Sequence, residues 1–156
     1  MDYKNILFEI TDNIGVITLN RPDEANSIHK PMVEELADIA MHCYRDDLIR
    51  SVVLTGSGKM FCGGGDLKAF VEQGDAVSNY VDQTATVLHQ AISRFARMDS
   101  PLVIAVNGIA AGGGFSLALA GDYIIAADTA KFISAYTASG LSPDGSSTFY
   151  LAKHIG

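Results

Sequence analysis

Two glycine clusters are the residues best suited to chemistry. Phe61-Cys62-Gly63-Gly64-Gly65-Asp66-Leu67-Lys68 follows an apolar run at Val52, and Asn107-Gly108-Ile109-Ala110-Ala111-Gly112-Gly113-Gly114 follows a second run at Leu102 and opens a helix. Without side chains in the way, backbone N–H groups can approach a ligand closely, and a helix N-terminus adds positive partial charge. Two such loops at strand ends can form a pair of donors for one developing anion. A phosphate cradle is the rival reading. Gly56-Ser57-Gly58-Lys59 looks like part of a P-loop, yet Met60 follows the lysine where Ser or Thr is needed, and neither cluster fits the dinucleotide-binding glycine spacing. Close helix packing is the plain structural role open to residues 112–114.

Side chains able to move protons are few. Asp144, in Gly140-Leu141-Ser142-Pro143-Asp144-Gly145, precedes a short helical pattern, and taken alone it reads as an N-cap. His89 lies on the flank of a helical stripe, where a partly solvated residue is the ordinary role. His29, His42 and His154 have no identifiable catalytic companions, and Cys62 lacks a Cys–His signature. Cys43 and Cys62 form no zinc spacing, so no metal is expected.

The elements that position these residues are legible from apolar periodicity. Alternation at Ile6, Phe8 and Ile10, then at Ile14 and Val16, with Thr11-Asp12-Asn13 between, predicts a hairpin with one solvated face. Beyond Pro22, Met32, Val33, Leu36, Ile39, Ala40 and Cys43 recur at three and four, with Pro31 suited to a first helical turn. Continuous apolar runs at residues 52–54, 102–106 and 123–127 predict strands buried on both faces. A long amphipathic stripe from Val77 to Phe95 lies between the first two, and residues 146–155 predict a final short helix. Strand, helix, strand, helix, strand argues for crossover connections and an α/β core.

The length of 156 residues suits one core domain. Eleven Lys and Arg against 18 Asp and Glu give −7, with the basic residues scattered, so nucleic acid is not an expected partner. The start, Met-Asp-Tyr-Lys-Asn, lacks signal-peptide character, and no apolar stretch approaches the ~18 residues of a membrane span. With two unpaired thiols, the expectation is a cytoplasmic protein without membrane partners.

Taken together and in order, Leu19-Asn20-Arg21-Pro22 and the two glycine clusters resemble the crotonase superfamily of enoyl-CoA hydratases and isomerases over essentially the whole chain. The resemblance implies a crotonase-like ββα spiral core. It implies a coenzyme A thioester, bound as substrate without a separate cofactor, whose carbonyl sits between the N–H groups of Gly65 and Gly113. Its adenine and pantetheine parts would meet Ala25, Gly63, Gly64, Asp66, Leu67 and Lys68, with Lys59, Lys68 and Arg21 as nearby cations. Hydratases of the family carry two glutamates at positions that here hold Ser116 and Tyr136, which removes the two-carboxylate machinery.

The loop around Asp144 resembles that of superfamily isomerases and of chlorobenzoyl-CoA dehalogenase, which carry a working Asp there. His89 and Tyr136 fall where that dehalogenase carries a functional His and an Asp-positioning Trp. An isomerase with Asp144 as acid and base is therefore expected. A dehalogenase-like enzyme with Asp144 as nucleophile and His89 as helper, and a non-catalytic acyl-CoA-binding or assembly module, are the alternatives. The family's domain usually continues further, with helices that assist trimer or hexamer assembly. Residues 1–156 are thus expected to be its N-terminal core, with a C-terminal helical part missing.

Overall fold

A computed structural model describes residues 2–156. The first two strands, β1 (Ile6–Thr11) and β2 (Ile14–Leu19), form the expected antiparallel hairpin. Asp12 and Asn13 both take positive φ, 52° and 65°, as a tight two-residue hairpin turn requires. In β1 the alternation marks the inward face, with Ile6 buried and Phe8 packed against the core. In β2 it does not: Ile17 and Leu19 lie opposite Phe8 and Ile6 and are buried, while Ile14 is exposed, and on its other side β2 pairs with β3 (Ser51–Gly56).

Between β2 and β3 runs α1 (Lys30–Arg45), with Pro31 in its first turn and Met32, Val33, Leu36, Ile39, Ala40 and Cys43 buried along one stripe. Full burial of such a Leu or Ile contributes about 1.5–3 kcal/mol. This stripe alone is therefore a substantial part of the core.

The remaining chain repeats one unit. β3, β4 (Met60–Cys62), the short α2 (Leu67–Val71) and α3 (Val77–Phe95) are followed by β5 (Leu102–Val106), β6 (Ile109–Ala111) and α4 (Gly113–Leu119). Then come β7 (Tyr123–Ala126), β8 (Lys131–Ile133) and α5 (Ser147–Ile155). In each turn the first strand joins a five-stranded sheet, ordered β1-β2-β3-β5-β7, and the second joins a three-stranded sheet, ordered β4-β6-β8. From β2 onward all pairings are parallel. This is the ββα spiral.

Two features depart from the sequence reading. The three-residue strands of the small sheet are too short to show a period and were not expected. The run at residues 123–127 is a strand, but not a doubly buried one: Tyr123 and Ile125 are 67% and 65% exposed, because β7 is the outermost strand of its sheet. Helix α3 matches its expected stripe, burying Leu88, Ala91, Ile92 and Phe95, and packs along α1.

Candidate active site

The two glycine loops leave β4 and β6, which are neighbours in the small sheet, so pairing of those strands brings the loops together. Gly64 has φ +92°, and a Cβ there would lie 2.7 Å from the Ala111 carbonyl oxygen, so only glycine permits this approach of backbone to backbone. Main-chain bonds fix the surrounding geometry. Ile28 N–H donates to Gly64 O (2.6 Å), Asp66 N–H to Ile28 O (2.8 Å), Gly63 N–H to Ala25 O (2.9 Å) and Gly112 N–H to Ile133 O (3.0 Å). Among the described residues, the N–H groups of Gly65 and Gly113 have no such acceptor. Both glycines line one cavity of about 60 Å³, walled by Ile28, Phe70, Val81, Leu88 and Leu141, and closed by Tyr136 and Asp144. Two free amides and one carboxyl thus border the same small apolar space.

Asp144 is not the side-chain cap of α5. The N-cap position is Ser146, without a side-chain cap bond, and only the main-chain oxygen of Asp144 meets that helix, accepting from Ser147 N–H at 3.0 Å. Its carboxyl is held elsewhere. Tyr136 OH donates to Oδ1 at 2.5 Å, and Oδ2 lies 3.3 Å from His89 Nε2. The buried Tyr136 hydroxyl also meets Ser116 Oγ at 2.5 Å, and Ser116 Oγ lies 3.0 Å from the Asp144 carbonyl oxygen. Burial first, and then the Asp144 carboxylate, push the Tyr136 phenol well above its ordinary range, so it remains a proton donor at neutral pH. The exposed His89 keeps its ring at the edge of the site, with Nε2 accepting from Gly145 N–H at 3.1 Å.

The other residues expected at the site divide into two groups. Ala25, Gly63 and Gly64 line the approach to the glycine loops by backbone, and Leu67 and Lys68 are exposed beside them. Leu67 and residues 63–65 border a further hollow of about 190 Å³. Lys59 is exposed as well. Asp66 and Arg21 use their side chains on the protein itself. Arg21 donates to Asp66 Oδ2 at 3.0 Å and to Ser27 O at 2.6 Å, and Asp66 caps α2 by accepting from Ala69 N–H. Arg21 is therefore committed to bracing the first loop rather than free for a phosphate. Burial pushes Asp66 up, but the Ala69 amide and the Arg21 guanidinium outweigh it and hold the carboxyl below its ordinary value.

Cys62 is fully buried, and burial pushes its thiol up to about 12, which leaves it no nucleophilic role. Among the described residues no cluster of His, Cys, Asp or Glu could hold a metal, and no helix is long and apolar enough to cross a membrane. A larger groove of about 590 Å³ lies between α1 and α3, with His89 at its edge and none of the glycines.

Sequence reasoning missed the hydrogen bonds of Ser116, named there only as standing where hydratases carry a glutamate. Its signal was position: it lies three residues after Gly113, one turn along the same helix. The Arg21–Asp66 pair, 45 residues apart in sequence, had no local signal.

Comparison with known proteins adds an independent line. A family model described as "Enoyl-CoA hydratase/isomerase" matches residues 9–156. The chain is 40% identical over its full length to a "Probable enoyl-CoA hydratase" of Rhodobacter capsulatus, of which it covers 59%. It is 38% identical, over 97% of its length and 58% of the relative's, to the 1,2-epoxyphenylacetyl-CoA isomerase of Escherichia coli. An enoyl-CoA hydratase of Bacillus anthracis, known from a 1.8 Å crystal structure, superposes with a TM-score of 0.89 at 33% identity, over 98% of this chain and 59% of that one. The chain thus spans somewhat less than three fifths of the length of each.

Proposed function

The chain belongs to the enoyl-CoA hydratase/isomerase family, and within it we propose that the protein is a double-bond isomerase of enoyl-CoA thioesters, with Asp144 as both base and acid. The observation that carries this reading is the cavity that Asp144, the one carboxylate residue in its lining, shares with Gly65 and Gly113, whose amides have no main-chain acceptor among the described residues. Ser116 and Tyr136 beside it are hydroxyls, so the site offers one carboxyl where two-carboxylate hydration needs a pair.

A 3-enoyl thioester would place its carbonyl oxygen between the two amides. The Asp144 carboxylate takes a proton from C2. The electron pair of that C–H bond forms the C1–C2 π bond of an enolate, and the negative charge on the thioester oxygen is met by the Gly65 and Gly113 N–H groups. Such preorganised donors are each worth ~10²–10³ in rate. The carboxylic acid then returns the proton to C4, the double bond moves to C2–C3, and Asp144 is again a carboxylate. One group on one side of the substrate does both transfers, which is the economy expected of a positioned acid and base. The nucleotide end of coenzyme A would run along Ala25 and residues 63–68, with exposed Lys59 and Lys68 as candidate phosphate partners.

The test offers the whole protein a 3-enoyl-CoA and a 2-enoyl-CoA. Turnover of the first is expected to fall by about 10²–10⁴ in Asp144→Asn with thioester binding retained. Turnover within tenfold of the parent, or hydration of the 2-enoyl substrate at comparable rates, overturns the assignment. One observation favours a second reading, dehalogenase-like attack of Asp144 on an aryl thioester: His89 stands 3.3 Å from its Oδ2. The Gly145 amide, however, occupies His89 Nε2, the nitrogen that would activate water. An ester trapped on Asp144 with a halobenzoyl-CoA would favour that chemistry.

A further inference from the structure

We infer that Ser116 is a positioning residue for Asp144, acting through Tyr136 and through the peptide that follows Asp144; this rests on the acid and base reading above. The peptide unit between Asp144 and Gly145 is clasped from both sides. Its carbonyl meets Ser116 Oγ at 3.0 Å, and its N–H donates to His89 Nε2 at 3.1 Å. The loop presses against the serine as well: Gly145 has φ +56°, and a Cβ there would lie 2.9 Å from Ser116 Cβ. Ser116 is fully buried, and its own N–H donates to Gly112 O in the first turn of α4, the turn that begins at Gly113. One helical turn therefore carries an oxyanion amide and the brace of the acid.

The hydroxyl protons fix what that brace can do. Ser116 Oγ touches two oxygens, Tyr136 OH at 2.5 Å and Asp144 O at 3.0 Å, with one proton to give. When Asp144 is a carboxylate, Tyr136 donates to Oδ1 and Ser116 donates to Tyr136. When Asp144 has taken a proton from substrate on Oδ2, Oδ1 is its carbonyl oxygen and still accepts from Tyr136, which leaves the acid's O–H free to return the proton. No hydroxyl proton has to move between the two states. In both states of a carboxyl that must accept and return one proton the two hydroxyls thus keep their partners, and leaving a buried hydroxyl unpaired in either is costly. Without Ser116, Tyr136 has Asp144 as its one partner.

A double-mutant cycle in the whole protein tests this. Ser116→Ala is expected to lower kcat for a 3-enoyl-CoA by about tenfold while KM changes less than twofold, and Ser116→Thr, which keeps the hydroxyl, to recover most of the loss. In the Tyr136→Phe background, Ser116→Ala should cost no more than about threefold, because the route through the phenol is cut and only the bond to the Asp144 carbonyl remains. Equal losses in both backgrounds, or a rise in KM with kcat unchanged, overturn the inference. Should Ser116→Ala not fold, Ser116→Cys, of nearly the same shape and with a weaker donor, gives the same comparison. Asp144→Asn run alongside separates the two levels. If it retains turnover, the acid and base reading falls and this inference with it; if it loses turnover while Ser116→Ala changes kcat less than twofold, this inference alone falls.

Discussion

The glycine loops and the Asp144 loop border the same cavity but are built on different principles. The first is backbone held by backbone: two parallel strands of the small sheet deliver two loops, and main-chain bonds from Ala25, Ile28 and Ile133 close them. The second is a loop with most of residues 137–143 exposed, held by side-chain hydroxyls and one imidazole. The difference teaches a division of labour. On the proposed reading, charge stabilisation would sit where the fold is least able to vary without losing packing, and the choice of reaction where a few side chains can be exchanged without rebuilding the sheet.

Breaking the first region should have the larger effect. Gly64→Ala places a Cβ at φ +92° against the Ala111 carbonyl. The backbone conformation alone should cost about 1–3 kcal/mol of stability, and displacement of the neighbouring Gly65 amide should reduce isomerase turnover by about 10²-fold or more. Denaturant midpoints and steady-state rates check both together; a variant as stable and active as the parent would show that the close approach is dispensable. Tyr136→Phe breaks the second region alone. It removes the 2.5 Å bond to Oδ1 while leaving the ring packed, so kcat should fall by about tenfold and stability by about 1 kcal/mol or less. If its loss in stability exceeds that of Gly64→Ala, the proposed division between the regions is wrong.

The same contrast explains what was legible in the sequence. Helix α1, helix α3 and strand β5 fell where their apolar stripes and runs placed them, because each buries one face or two against long neighbours. The glycine loops were legible because a position that excludes Cβ leaves glycine as its mark. The face of β2 was misread, since apolar residues stand on both its faces, Ile14 and Val16 on one and Ile17 and Leu19 on the other, and only the pairing of the second set with Phe8 and Ile6 shows that it turns inward. Exposure of Tyr123 and Ile125 was hidden for a related reason: an apolar run does not say which strand ends the sheet. Resemblance pointed to Asp144, Tyr136 and His89, but the hydrogen bonds joining Tyr136 and Asp144 to Ser116 depend on a chain that returns 20 and 28 residues later. No periodicity records such a return.

A smaller effect separates bracing from binding in the first region. The Asp66 carboxyl is held below its ordinary value near 3.8, so its contribution is fully present above that value and is lost as pH falls through the lower folded value. Asp66→Asn should therefore lower Tm by about 2–4 °C at pH 7, with the gap to the parent narrowing below pH 4. Thermal melts from pH 7 to pH 3 decide this. A gap that stays constant would mean that the Arg21 pair does not contribute through charge.

The smallest effect is expected at Cys62, which belongs to the first glycine cluster in sequence and to neither region in chemistry. Its side chain is wholly inside, and a Cβ on Gly114 would come within 2.8 Å of its sulfur, so the thiol fills packing space under α4. With burial pushing it up to about 12, it should resist alkylation at pH 8 in the folded protein and react on unfolding. Cys62→Ala, which removes one buried atom, should leave kcat within about twofold and cost about 1 kcal/mol in stability. Peptide mass mapping after iodoacetamide treatment, with and without denaturant, checks the first point. Rapid labelling of native Cys62 accompanied by loss of turnover would place a side chain in the chemistry of the glycine loops and undo their description as a purely main-chain device.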